Sequence, residues 1–300
     1  MTFGGELSAD GARRVMDRAA DLGIYFFDTA AIYPFPVRPE THGRAEEIMG
    51  GWLRGKRDSF VVATKCGNAV GLGPNARGGS RKHVIRSCED SLRRLQTDRV
   101  DVYYVHDVHS QLTDSLDETL EALDRLVRDG KVLYVGLSNC SAWQLALAME
   151  LTADRGLVRV SVLQNRYNLV HRTDERDVLP LTRAAGIGMV QYNPLGGGIL
   201  TGELKRHDGP SGRYLLPPYR ERYWNDEVFN VADVVADVAR AEHCTPAQVA
   251  IGWMLAQSSG TVALTGALVP EHLDDNVRAL DRTLSEESLR RLTVASQGFR

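Results

Sequence analysis

The sequence is short of cysteine, lysine and long apolar runs, and each shortage excludes something. Its four cysteines, Cys66, Cys88, Cys140 and Cys244, show no C-x-x-C spacing, so neither a zinc site nor a disulfide framework is indicated. Free thiols suit a reducing, cytoplasmic compartment. No apolar stretch approaches the ~18 residues of a membrane span, and no basic segment followed by an apolar one opens the chain. A membrane partner is therefore not expected. Only five of the 36 basic residues are lysine. The arginines alternate with acids on helical faces, as in Arg13, Arg14, Asp17, Arg18 and in Glu89, Asp90, Arg93, Arg94. That pattern makes self-paired, solvated surfaces rather than a basic stripe, which excludes nucleic acid as a partner.

What is present is a globular composition, 43% hydrophobic and 25% charged, in which strand-like runs alternate with helical periods. Ser8 caps a helix carried by Ala12, Val15, Met16, Ala19 and Leu22 and ended by Gly23. Residues 24–28, 60–65, 100–106, 132–138, 160–164, 188–192 and 262–266 read as strands. Between them lie helices over 45–53, 82–95, a stretch ending near Gly130 and opened by a Ser115–Glu118 capping box, a helix boxed by Ser141 and Gln144, one before Gly186, and one opened by Thr245-Pro246. Seven βα units predict an α/β chain with a parallel sheet; if residues 1–3 are the stub of an eighth strand, the count closes a (β/α)8 TIM barrel. The expectation is one barrel over residues 1–300, with a long active-site loop at about 196–225 and a C-terminal helix at about 285–296. Trp143 and Trp253 fall in helical periods and are expected in the core. Phe35, His109, Tyr219, Tyr223 and Trp224 are candidates for facing substrate.

In such a barrel, chemistry sits at the C-terminal ends of the strands. Those ends carry Asp28, Lys65, His106, Ser138 and Asn139, Gln164, Tyr192 and Gly266. Asp28, Lys65, His106 and nearby Tyr33 make sense together. A tyrosine hydroxyl titrates near ~10, too high for easy proton exchange at neutral pH, and a lysine ammonium within reach lowers that value. The lysine needs an anion, which Asp28 supplies, and a neutral histidine can orient a carbonyl oxygen. The set suits protonation of a developing alkoxide. His106 and His109 lack a third ligand at metal-binding spacing, so no metal is expected.

These residues resemble the signatures of the aldo/keto reductase superfamily. Phe27-Asp28-Thr29-Ala30-x-x-Tyr33, Ala63-Thr64-Lys65 and Tyr104-Val105-His106 are similar to its catalytic motifs. Gly136-Leu137-Ser138-Asn139, Gln164-Asn165-Arg166-Tyr167-Asn168 and Tyr192-Asn193-Pro194-Leu195-Gly196-Gly197-Gly198 are similar to its nicotinamide-side motifs, and the stretch from Thr265 to Asn276 to its adenine side. Residues 33–47 resemble a bacterial branch near the potassium-channel β subunits. The resemblance implies reduction of an aldehyde, ketone or keto-sugar by NAD(P)H. Tyr33 would be the general acid, Lys65 and Asp28 its modulators, and His106 the carbonyl-orienting donor. It implies Ser138, Asn139 and Gln164 on the carboxamide, Tyr192 stacked on the ring, and Pro194, Leu195, Gly196 and Gly198 around the pyrophosphate, with backbone N–H groups as donors. Arg213, Gly266, His272 and Asn276 would serve the rest of the cofactor.

The pattern departs from the family at Glu203, where a phosphate-reaching lysine is usual, at Leu268, where Ser or Arg would meet a 2′-phosphate, and at His272, where Gln is common. Arg213 matches a second phosphate-binding position, so NADP(H) is favoured over NAD(H). The chain also begins inside the expected first strand, without the bottom hairpin that the family implies. Two other readings stay open: a cofactor-binding auxiliary or sensor barrel, and a non-redox proton-transfer enzyme. The substrate and the oligomeric state are not legible.

Overall fold

A computed structural model describes residues 1–73, 75–108, 116–257 and 260–300. The chain divides into two compact units. The first comprises residues 1–164, 184–188 and 266–270, the second residues 165–183, 189–265 and 271–300.

The first unit begins with a turn rather than a strand. Gly5 and Leu7 both donate from their backbone N–H to the carbonyl of Thr2, and Phe3 bridges Leu7, so residues 1–3 do not supply an eighth strand. Two adjacent glycines reverse the chain before any ladder can form. Helix α1 (Ala9–Asp21) follows, with the Ser8 hydroxyl accepting from Gly11 N at 3.1 Å as expected of a cap. Strands β1 (Phe26–Asp28), β2 (Val61–Cys66), β3 (Val100–Val105), β4 (Val132–Ser138) and β5 (Val160–Arg166, its last two residues belonging to the second unit) pair in parallel and in chain order. Helices α2 (Arg44–Leu53), α3 (Arg81–Leu95), α4 (Leu116–Arg128) and α5 (Ala142–Asp154) connect them. The Ser141–Gln144 box closes as expected, whereas Ser115 and His109 lie outside the described residues. Phe27, Trp52 and Phe60 pack ring on ring at 4.8 to 5.3 Å, sealing β1 against α2. Glu46, fully buried, is held by the Thr64 hydroxyl at 2.5 Å and Arg94 Nε at 2.6 Å. Trp143, in contrast to the core position its period suggests, is 63% exposed. Helix α5 is apolar on several sides, and Leu145 and Ala148 take the inward face, leaving the first-turn tryptophan outside.

The second unit carries β6 (Gly188–Tyr192), which pairs in parallel with β7 (Thr261–Leu264) from Met189 onward. It also carries α6 (Val178–Ala185, its last two residues belonging to the first unit), α7 (Pro217–Tyr223), α8 (Asp226–Ala241), α9 (Pro246–Gln257), α10 (Pro270–Val277, its first residue belonging to the first unit) and α11 (Glu286–Ala295). The long segment after β6 is a series of short 3₁₀ turns leading into α7. Helix α8, the longest of the described helices at 16 residues, is capped by the Asn225 side chain on Val228 N. Trp253 is buried as expected and stacks on Tyr167 at 5.6 Å. Arg172 lies over the same indole, binds Glu175 through two nitrogens at 2.7 and 2.9 Å, and donates to Thr293 O and Ser296 Oγ, pinning the C-terminal helix. Seven parallel strands alternating with helices are the topology of the (β/α)8 class. No helix among the described residues is long and apolar enough to cross a membrane.

Candidate functional site

The first unit brings the four expected catalytic residues together. Asp28 ends β1, and the chain continues along β2 because Thr29 N donates to Ala63 O and Ala31 N to Lys65 O. A turn closed from Tyr33 N to Ala30 O then presents Tyr33, whose carbonyl accepts from Ala45 N in the first turn of α2. Lys65, 1% exposed, donates from Nζ to the Asp28 carboxylate and to Thr29 O, the latter at 2.8 Å. The Asp28 side chain is only 4% exposed, so the pair exists as a buried, mutually compensating set of charges. Burial pulls Lys65 below its ordinary value, opposed by the Asp28 charge and hydrogen bond.

Tyr33 is half-buried, and its hydroxyl lies 3.4 Å from His106 Nε2 with the rings edge to face at 85°. Burial, and then the Lys65 charge, hold His106 well below the usual imidazole range, so it is neutral at pH 7. Its backbone N–H is bound to Cys66 O at 2.8 Å, and its carbonyl accepts from Asn139 Nδ2 at 2.8 Å. Asn139 takes a left-handed backbone (φ 51°), which Asn tolerates. Asn139 N in turn donates to Gln164 O at 3.0 Å, and Ser138 is buried beside it.

Two features escaped the sequence reading. Gln164 donates its side-chain Nε2 to Asp28 Oδ2 at 2.9 Å, so its donor serves the Asp28–Lys65 pair and its Oε1 is left as the acceptor. Tyr104 is the other. The Lys65 ammonium lies between two rings, 5.5 Å from the centroid of Tyr33 and 5.7 Å from that of Tyr104. Gly136 faces Tyr104 across β3 and β4, and a Cβ there would be 2.4 Å from the ring. A glycine inside a strand was the available signal of this close approach.

The second unit holds the remaining candidates. Tyr192 ends β6, half-buried, and burial pushes its hydroxyl up to about 12. Pro194 and Gly196 are buried, and Gly196, Gly197 and Gly198 all have positive φ (57°, 73° and 108°). Contrary to the expectation that this loop offers its N–H groups, those of Gly196, Gly197 and Gly198 are spent within it, on Asn193 O, Asn193 Oδ1 and Leu195 O. Leu195 supplies that carbonyl. A Cβ on Gly197 would meet the Tyr219 ring at 3.0 Å, whereas one on Gly198 would meet nothing within 4 Å. Arg213 is half-buried over the Tyr219 ring, with its guanidinium 5.6 Å from the centroid. Glu203 is exposed. Asn276, 5% exposed, donates to Thr265 Oγ1 at 2.9 Å, and His272 is exposed on the same helix. Gly266, of the first unit, is exposed. Of the long-loop aromatics, Tyr223 is buried and its hydroxyl accepts from Asn193 Nδ2 at 2.7 Å.

The model of the aldo/keto reductase family matches residues 1–296. The chain belongs to the aldo/keto reductase family. This aldo/keto reductase is 32% identical to protein Tas of Escherichia coli, over 100% of this chain and 93% of that protein. It is 35% identical to the uncharacterized oxidoreductase YrpG of Bacillus subtilis, over 97% and 89%. It is also 33% identical to a probable voltage-gated potassium channel subunit beta of Oryza sativa, over 94% and 85%. Membership supports a general oxidoreductase role, and nicotinamide cofactors are typical of the family.

Proposed function

We propose that this aldo/keto reductase reduces an aldehyde, ketone or keto-sugar to the alcohol, with NADP(H) preferred over NAD(H). The observation that carries the reading is the set built around Lys65: a buried ammonium held by Asp28 and Thr29 O, 5.5 Å from the Tyr33 ring, beside a neutral His106 that meets the Tyr33 hydroxyl. The left-handed glycine loop and Arg213 fit a dinucleotide: Gly198 has open space where a Cβ would stand, and Arg213 is braced on Tyr219.

When bound, the reduced nicotinamide supplies hydride to the carbonyl carbon. Of the first unit, Ser138, Asn139 and Gln164 would serve its carboxamide and Gly266 its adenosine end; of the second, Tyr192 would serve its ring, Pro194, Leu195, Gly196, Gly198 and Arg213 its phosphates, and His272 and Asn276 its adenosine end. Tyr33 donates its phenolic proton to the carbonyl oxygen. The nearby Lys65 charge favours the phenolate that remains, and Asp28 keeps that charge in place. Neutral His106 donates a hydrogen bond that orients the same oxygen. Exposed Glu203 is screened by solvent, so its charge opposes a cofactor phosphate only weakly.

The test is Tyr33→Phe. Reduction of a generic aldehyde should fall by about two to four orders of magnitude, while fluorescence titration with NADPH is unchanged; retained turnover overturns the reading. Arg213→Ala should weaken NADPH binding more than NADH binding.

A further inference from the structure

Lys65 is held from both neighbouring strands of the first unit. An ammonium has three N–H donors, and two oxygens among the described residues accept from it: the Asp28 carboxylate and Thr29 O, the latter at 2.8 Å. Both belong to the chain leaving β1. On the other side of β2 stands Tyr104 of β3, the register partner of Lys65. Its ring centroid lies 5.7 Å from Lys65 Nζ, against 5.5 Å for the Tyr33 ring. Within about 6 Å of a ring centroid, a cation is attracted by the negative face of the π system, and more strongly once water is removed. Water is removed here: Lys65 is 1% exposed and Tyr104 0%.

The sheet is shaped to seat this ring. Next in the row, Gly136 of β4 is the register partner of Tyr104, and a Cβ there would lie 2.4 and 2.5 Å from two of its ring carbons and 3.0 Å from Val162 Cγ1 on β5. Ala63 and Val102 pack with the ring as well. A side chain at position 136 would therefore displace it from Lys65. The hydroxyl adds little: it is buried, and although Gln164 bears on it, it makes no hydrogen bond among the described residues. Burial, and then the Asp28 charge, push that hydroxyl up, so Tyr104 stays a neutral ring. The other titratable groups bearing on Lys65 are Asp28 of β1, Glu46 of α2, which Arg94 pairs, and His106, which is neutral.

We propose that Tyr104 is a positioning residue for the reduction: its ring holds the Lys65 ammonium from the β3 side and keeps it charged beside Tyr33. The inference rests on the reductase reading above. Weakening the ring face makes the ammonium easier to deprotonate, and Tyr33 then loses the cation that favours its phenolate. The Tyr33 phenol therefore titrates at higher pH when the ring face is weakened.

The test reads Tyr33 directly. Alkaline ultraviolet difference absorbance is recorded for each protein and for its matched Tyr33→Phe partner, so that the difference isolates the Tyr33 phenolate. Position 104 carries in turn Tyr, Phe, and phenylalanines fluorinated at one, two and three ring carbons, which keep the shape of the ring while removing its negative face. Tyr104→Phe should titrate close to the wild type. The fluorinated series should move Tyr33 upward step by step, by about half a pH unit or more at its end. A packing role alone predicts no movement, because the shape is kept. A Tyr33 titration that stays in place or falls along the series overturns the proposal. So does a full shift in Tyr104→Phe, which would assign the effect to the hydroxyl. In Tyr104→Leu, kcat for a generic aldehyde should fall by about tenfold or more with KM little changed, and an unchanged kcat in that folded variant overturns the role. If Tyr104→Leu does not fold, the fluorinated series still decides. The titration needs no substrate, so the two readings fail separately: a wild type that reduces no aldehyde sinks the reductase reading, whereas the movement of Tyr33 judges Tyr104.

Discussion

Gln164 and Asp28, 136 residues apart in sequence, are joined by a 2.9 Å hydrogen bond from the amide Nε2 to the carboxylate Oδ2. The other carboxylate oxygen of Asp28 takes the Lys65 ammonium. One buried carboxylate is thus satisfied from both sides, by a charge and by a neutral donor. Lys65 is positioned through β5 as well as through β1 and β2.

Gln164→Leu should cost about 1–3 kcal/mol of stability, because it leaves a buried carboxylate oxygen without its donor. Urea unfolding measures this. A midpoint equal to that of the wild type would show that Asp28 needs only Lys65.

Lys65→Met should be more damaging, by about 3–5 kcal/mol, because Asp28 is then an uncompensated buried charge. Asp28→Asn combined with Lys65→Met should recover part of that loss while remaining inactive. A double variant no more stable than the single one contradicts the pairing argument.

His106 is held well below its ordinary 6.5 by burial and Lys65, so it does not protonate as pH falls through 6 to 7. The kcat/KM profile for a neutral aldehyde should therefore show no inflection in that range attributable to His106. An inflection there that disappears in His106→Gln would show that the ring titrates. The linked stability effect has a definite sign. A base with a depressed folded-state value contributes stability above the unfolded value, and that stability is lost as pH falls below about 6.5.

Asp174 behaves oppositely. Burial first, then Asp177, raise its carboxyl to about 6 against the Asn165 hydrogen bond. Its folded-state value lies above the unfolded one, so the native state binds the extra proton between about pH 4 and 6, and the full cost of burying the charge is present above pH 6. Asp174→Asn should raise stability by about 1–3 kcal/mol at pH 7.5, with the gain fading as pH drops toward 4. Chemical denaturation at the two pH values checks this, and a gain independent of pH would assign the effect to something other than ionisation.

Much of this was written locally. Period and capping residues place α1 behind Ser8 and α5 behind Ser141 and Gln144, and α9 begins at Pro246 with Thr245 Oγ1 accepting from Gln248 N. Strand limits at 132–138 and 188–192 coincide with the structure. The placement of Asp28, Lys65 and His106 at the exits of successive parallel strands was legible too. What the local pattern missed was which way a side chain turns and what a backbone group bonds. Trp143 has the composition of a core residue but the outward azimuth of α5, and residues 1–3 turn back onto Gly5 and Leu7 instead of joining the sheet. The glycine loop after β6 has the expected conformation, yet its N–H groups close on Asn193 and Leu195.

The sequence by itself determined the alternation of strands and helices and the identity of the titratable set, because hydrophobic period, caps and strand ends are local properties of the chain. Only tertiary structure decided which donor each charge meets. Gln164 reaches Asp28, and Tyr104 shares Lys65 with Tyr33 over a glycine. Charge compensation and desolvation depend on distance in space, and residues 136 positions apart in the chain have no local signature of a 2.9 Å contact.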